Sequence, residues 1–220
     1  MIATVFALEF ESAGYRAIQA PQMCVCVWTL GVTGQRSAPV LKRLLGENRP
    51  QVLVSAGFSG ALKPEIALGS IIIGENFTDP KILRCLPKDP DFRVGTVVTA
   101  ETILETSQSK RALGESSRAL AVDLESAHLS DVCKSAGIPM LSLRCISDTL
   151  EQDLPLPGSV LINPETGKAD PSLIFQYLFR HPAKTAQFAK LISSARTAQR
   201  SLATALGKIL PVLLKDRPDS

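Results

Sequence analysis

The sequence predicts a three-layer α/β fold, with helices on both faces of a central mixed, mostly parallel sheet. Two observations predict it. Short runs rich in β-branched and apolar residues alternate with stretches whose apolar residues recur at helical spacing, the pattern of strand–helix units packed in layers. In addition, Glu11, the glycines around Gly57, and Asp148 each fall just beyond a predicted strand end. Ligands gather at that edge of such sheets.

Ile2 to Leu8 is the first strand-like run and Met23 to Leu30 the second. Between Val32 and Leu45 the spacing turns helical, with Ala38, Leu41, Leu44 and Leu45 on one face. Gln51 to Ser55 reads as a third strand running into a glycine-rich turn, Ala56-Gly57-Phe58-Ser59-Gly60-Ala61-Leu62, and Ser70 to Gly74 as a fourth. Thr78 to Phe92 holds three prolines and mixed charge, which predicts an exposed loop or hairpin. Val94 to Thr99 is strand-like again. Asp123 to Ala136 reads as an amphipathic helix with Leu124, Ala127, Val132 and Ala136 inward. Gly137-Ile138-Pro139 stops it before the buried strand Met140 to Ile146. Leu154 to Asp170 is a connection rich in proline and glycine. Residues 171–215 are expected to form C-terminal helices, with Phe188, Leu191, Ile192, Ala195, Leu202, Leu206 and Ile209 along one stripe. No internal repeat is visible, so residues 1–220 are read as a single domain with one full core.

Composition narrows the classes of function. Of 220 residues, 45% are apolar and 20% charged, which is ordinary for a globular protein and argues against disorder. A net charge of +3 gives no reason to expect nucleic acid or a membrane surface as partner. Glu9 and Glu11 interrupt the N-terminal apolar run too early for a signal peptide, and no run approaches the ~20 apolar residues that span a bilayer. The expectation is a soluble, cytoplasmic protein. Five cysteines and only two histidines, His128 and His181, do not make a metal site, so buried thiols in a reducing compartment are expected.

The most informative stretches are Ala121-Val122-Asp123-Leu124-Glu125-Ser126-Ala127 and Arg144-Cys145-Ile146-Ser147-Asp148. With Ala7-Leu8-Glu9-Phe10-Glu11 and the Gly57 turn, they resemble the superfamily of purine nucleoside phosphorylases and methylthioadenosine/S-adenosylhomocysteine nucleosidases. The resemblance spans about Ile2 to Leu150. It implies an enzyme that cleaves the N-glycosidic bond of a purine nucleoside, with no metal or organic cofactor.

Such a bond breaks through an oxocarbenium-like sugar, so the departing base must be protonated as charge builds on it. The resemblance puts Asp148 at the acid, a role that asks the carboxyl to keep its proton near neutrality, as desolvation could allow. A strand-end Asp that merely caps the next turn is the bland alternative. Glu125 matches the residue that grips the vicinal sugar hydroxyls; a solvated first-turn Glu is its plain reading. Asp123 matches a supporting position. Glu11 and Arg144 match the pair that activates a water in hydrolytic members. An Arg amid apolar Leu141 to Ile146 needs a carboxylate partner, and Glu11 is the expected one, in catalysis or as a structural salt bridge.

Leu124, Phe58, Ser59, Gly60, Ile103 and Leu104 complete the expected substrate pocket. Phe58 stands where nucleosidases more often carry a small polar residue, and Ile103 where many carry an aromatic. Gly31-Val32-Thr33-Gly34 precedes a helix, so Gly34 with Arg36 could hold phosphate, though a tight strand-to-helix turn explains the same glycines.

Taken together, these residues predict hydrolysis of a purine nucleoside, with a 5′-modified adenosine as the expected substrate. Phosphorolysis is the nearest rival. Relatives of hopanoid synthesis, which act on a nucleoside joined to a lipid, also resemble the chain, and aminofutalosine is a further candidate substrate. A non-catalytic nucleoside sensor would be free to lose Asp148. A dinucleotide-binding oxidoreductase would show G-x-G-x-x-G after the first strand, and none is present. Family members are homo-oligomers whose partner subunit often completes the site, so a homo-oligomer is expected here.

Overall fold

The computed structural model describes residues 1–19, 24–32, 34–163 and 168–215. Met23 and Thr33, and residues 164–167 of the predicted connection, lie outside the described residues. The elements run β1 (Ile2–Phe6), α1 (Glu9–Arg16), β2 (Val25–Thr29), α2 (Gly34–Asn48), β3 (Val52–Ala61), β4 (Ile71–Gly74), α3 (Pro80–Cys85) and β5 (Phe92–Gly95). They continue with β6 (Val97–Thr99), α4 (Ser107–Ser117), β7 (Ala121–Asp123), α5 (Ser126–Ala136), β8 (Met140–Asp148), α6 (Gly158–Leu161), α7 (Pro171–Arg180) and α8 (Thr185–Lys215).

The sheet runs β2-β1-β3-β8-β4-β5, with β7 also pairing β3 and β6 pairing β7. Five pairings are parallel; β3 with β7 and β4 with β8 are antiparallel, so the sheet is mixed but mostly parallel, as expected. Alternation along each strand sends side chains to opposite faces. Ile2, Val52, Val54, Leu141 and Leu143 meet Ala198, Leu202 and Leu206 of α8 on one face. Ala3, Val5, Leu53 and Met140 meet Leu41 and Leu45 of α2 and Leu129 and Cys133 of α5 on the other. These are the three layers.

Four readings need correction. The glycine-rich segment is not a turn but the second half of β3, a ten-residue strand that stays in the sheet through Ala61. The proline-rich stretch holds α3, because Pro80 sits at its first turn and Asp79 caps it by accepting the Lys81 N–H. The helix predicted from Asp123 begins at Ser126, since residues 121–123 are strand β7; its buried face is Leu129, Ser130 and Cys133, and Ala136 is exposed. Cys24 and Cys85 are exposed, whereas Cys133 and Cys145 are buried and their thiols are pushed up to about 12 by that burial.

Candidate active site

β3 and β8 lie side by side in parallel, and a shift of register between Ser59 and Gly60 sets Gly60 opposite Asp148 at their carboxyl ends. An irregularity of this kind re-aims the side chains that follow it. The first turn of α1 brings Glu11 to the same place, the link from β7 to α5 brings Leu124 and Glu125, and the segment before α4 brings Ile103 and Leu104. Glu11, Phe58, Ser59, Gly60, Ile103, Leu104, Leu124, Glu125 and Asp148 line one cavity of about 180 Å³. The two glycines of β3 make room for carboxylates. A Cβ at position 57 would lie 3.2 Å from Glu11 Oε1, and one at position 60 would lie 3.0 Å from Asp148 Oδ2.

Glu11 is buried, and backbone N–H groups grip it on both oxygens. Oε2 accepts from Ala7 at 3.0 Å and Leu8 at 2.9 Å, and Oε1 accepts from Phe58 at 2.8 Å. Leu8 precedes α1 and has no polar side chain to cap it, so the carboxylate three residues on serves the helix's leading N–H groups. Burial pushes the Glu11 pKa above its ordinary value; the three N–H bonds and the charge of Arg144 offset that only in part.

Arg144 does not pair with Glu11. Its Nε donates to Asp123 Oδ2 at 2.6 Å, and both side chains are buried. Nη1 donates to the Ser55 carbonyl at 2.8 Å, and Nη2 to the hydroxyls of Ser55 and Ser126 at 2.9 Å each. The need for a carboxylate was read rightly, but Asp123 meets it from β7, a strand that pairs with β3 and not with β8. β7 carries Asp123 beside the start of α5, where it also accepts the Ser126 N–H and, at 2.8 Å, the Thr99 hydroxyl. Arg144 lines a small adjoining hollow rather than the main cavity. Burial alone would lower its pKa, but Asp123 first, then Glu125 and Glu11, hold it above its ordinary value.

Glu125 sits at the N-cap position of α5 and makes no cap bond with its side chain. It faces both the cavity and the hollow. Asp148 does not stand as a lone carboxyl. Ser147 Oγ donates to its Oδ1 at 2.9 Å, and Lys110 Nζ donates to its Oδ2. Ser59 is buried, and its Oγ has no hydrogen-bond partner among the described residues. Arg36 is exposed and does not line the cavity.

A family model described as the Phosphorylase superfamily matches residues 75–166. The fold is similar to that of the Helicobacter pylori 5′-methylthioadenosine/S-adenosylhomocysteine nucleosidase, with a TM-score of 0.71 at 12% identity over 96% of this chain and 97% of that one. The chain has a nucleoside phosphorylase-like fold. A futalosine hydrolase of Helicobacter pylori has the same TM-score of 0.71 at 12% identity, again over 96% and 97% of the two chains. The S. pneumoniae 5′-methylthioadenosine/S-adenosylhomocysteine nucleosidase has a TM-score of 0.66 at 17% identity, over 96% and 99%. No curated protein matches the chain by sequence.

Within this nucleoside phosphorylase-like fold, Lys110 is the charged cavity residue that sequence reasoning missed. It is fully buried, and its ammonium has three acceptors: Asp148 Oδ2, the Thr149 carbonyl at 3.0 Å and the Gln152 carbonyl at 2.9 Å. No apolar stripe announces it. The buried positions of α4 are Lys110 and Gly114, one helical turn apart and neither of them apolar in side chain.

Proposed function

We propose that the protein is a nucleosidase, which cleaves the N-glycosidic bond of a purine nucleoside with water as the nucleophile. The observation that carries the reading is the convergence of Glu11, Glu125 and Asp148, three carboxylates from three separate elements, on one cavity. Burial raises the affinity of Glu11 for a proton, which suits a general base acting near neutral pH. Its backbone clasp fixes the carboxylate that would orient the water.

In this reading the electron pair of the glycosidic bond leaves with the base as water adds to the anomeric carbon. The water's proton goes to Glu11. The departing base takes up a proton from the Lys110–Asp148 ion pair. Glu125 accepts from the sugar hydroxyls, and the unpartnered Ser59 hydroxyl supplies a further donor to the nucleoside. Phe58, edge-on to Phe10 with ring centroids 6.3 Å apart, gives the cavity an apolar wall beside Glu11. That wall suits an apolar 5′ substituent, and an adenosine modified at that position is the substrate we expect.

Hydrolysis is preferred to phosphorolysis because Glu11 lines the cavity while Arg36 is exposed and does not line it. The first test is incubation with 5′-methylthioadenosine and with adenosine in phosphate-free buffer. Release of free base supports the reading, and no release from any purine nucleoside, with or without phosphate, refutes it.

A further inference from the structure

α7 stands outside the core. None of its residues is buried, and its main neighbours are α6 and the turn Pro182–Lys184 that leads into α8. Phe175 and Phe179 are 72% and 80% exposed, the most exposed of the large apolar side chains among the described residues. They are four residues apart on one helix face, with ring centroids 6.5 Å from each other. An exposed aromatic pair on an outlying helix marks a surface that meets something apolar.

The surrounding charge says what. Residues 171–200, which hold α7 and the first half of α8, contain five Lys and Arg and no Asp or Glu, in a chain that holds 21 acidic residues. The mild net charge of +3 conceals this segregation. Arg180, Lys190 and Arg196 are exposed along the arm formed by α7 and the first half of α8. Apolar rings on one face with an excess of cations is the composition of helices that lie in the headgroup region of an anionic bilayer. No helix among the described residues is long and apolar enough to cross a membrane.

We propose that this arm docks the protein on the surface of an anionic lipid bilayer, with Phe175 and Phe179 entering the headgroup layer and the cations pairing with lipid charge. A second copy of the chain fits the face poorly, because facing arms would set like charges together. The arm is also joined to the cavity. α7 packs on α6, whose Gly158 N–H donates to Glu105 at 2.7 Å, and Ile162, just after α6, lines the cavity. Docking through the arm brings the cavity close to the bilayer.

The test is sedimentation of the full chain with vesicles of phosphatidylcholine alone and of phosphatidylcholine mixed with phosphatidylserine. The protein should pellet with the mixed vesicles, far less with the neutral ones, and progressively less as salt is raised. The double substitution Phe175→Ser and Phe179→Ser should weaken vesicle binding at least about tenfold, and Lys190→Gln and Arg196→Gln about fivefold each. Both rings lie outside the core, so the thermal melt of the double variant should match that of the parent. No binding to either vesicle, equal binding to both, or undiminished binding by the double variant overturns the proposal. A double variant whose only change is a smaller mass in solution also overturns it, by making the face a contact between copies. None of these readouts depends on catalysis.

Discussion

Lys110 and Asp148 form an ion pair within the cavity, the lysine side chain 1% exposed and the aspartate 14%. The expectation from sequence was a lone carboxyl that keeps its proton because it is desolvated. In the structure that carboxyl is ion-paired with Lys110, so we assign the acid of the proposed reaction to the pair rather than to the aspartate alone.

Lys110→Met should therefore lower kcat by about 10²-fold or more. It leaves a largely buried carboxylate without its cation, so urea denaturation should also show a loss of about 3–5 kcal/mol. Lys110→Arg should recover more stability than turnover, because it restores charge without restoring the three-acceptor fit. Normal turnover in Lys110→Met, with the stability loss present, would make the pair structural only.

Arg144 and Asp123 form the second buried pair, and here the prediction concerns stability. Asp123→Ala leaves a guanidinium held by Ser55 and Ser126 and costs about 3–5 kcal/mol. Replacing both partners, as Asp123→Leu with Arg144→Met, should cost less than the sum of the single losses. Additive losses in denaturation would show that the two charges are not coupled.

The pH profile of turnover follows from Glu11. A general base works in its ionised form, and burial raises the folded-state pKa of this carboxyl. Activity should accordingly fall as the pH drops through that raised value, with the acidic limb above the reference of ~4.3 for glutamate. A limb at or below the reference would remove Glu11 as the base.

Glu125→Gln should weaken ribonucleosides more than their 2′- or 3′-deoxy analogues, since the lost acceptor served those hydroxyls. A charged hydrogen bond contributes about 1.5–3 kcal/mol, which kcat/KM resolves. Equal losses for both kinds of substrate would detach Glu125 from the sugar.

The sheet and its layers were legible because alternation and helical spacing report which face is buried. Nine of the residues expected in the pocket do line one cavity, since strand ends and the residues just after them meet at one edge of a parallel sheet. What failed is instructive. Gly57 and Gly60 read as a turn because glycine serves turns, whereas here they lie in β3 to admit two carboxylates. The partner of Arg144 was misassigned because Asp123 reaches it across the sheet from β7, and Lys110 was missed because a lysine among serines in α4 looks like any solvated residue. The α7 aromatics were overlooked for another reason: charge averaged over the chain hides its concentration in one arm.

The measurement that tests the account most directly is the sugar product formed in phosphate-free water enriched in ¹⁸O. If Glu11 activates water, base is released without phosphate, the free sugar carries the label at its anomeric hydroxyl, and Glu11→Gln loses about 10²- to 10⁴-fold in turnover while still binding nucleoside. Strict dependence on phosphate, with the sugar recovered unlabelled as its 1-phosphate, would contradict the account.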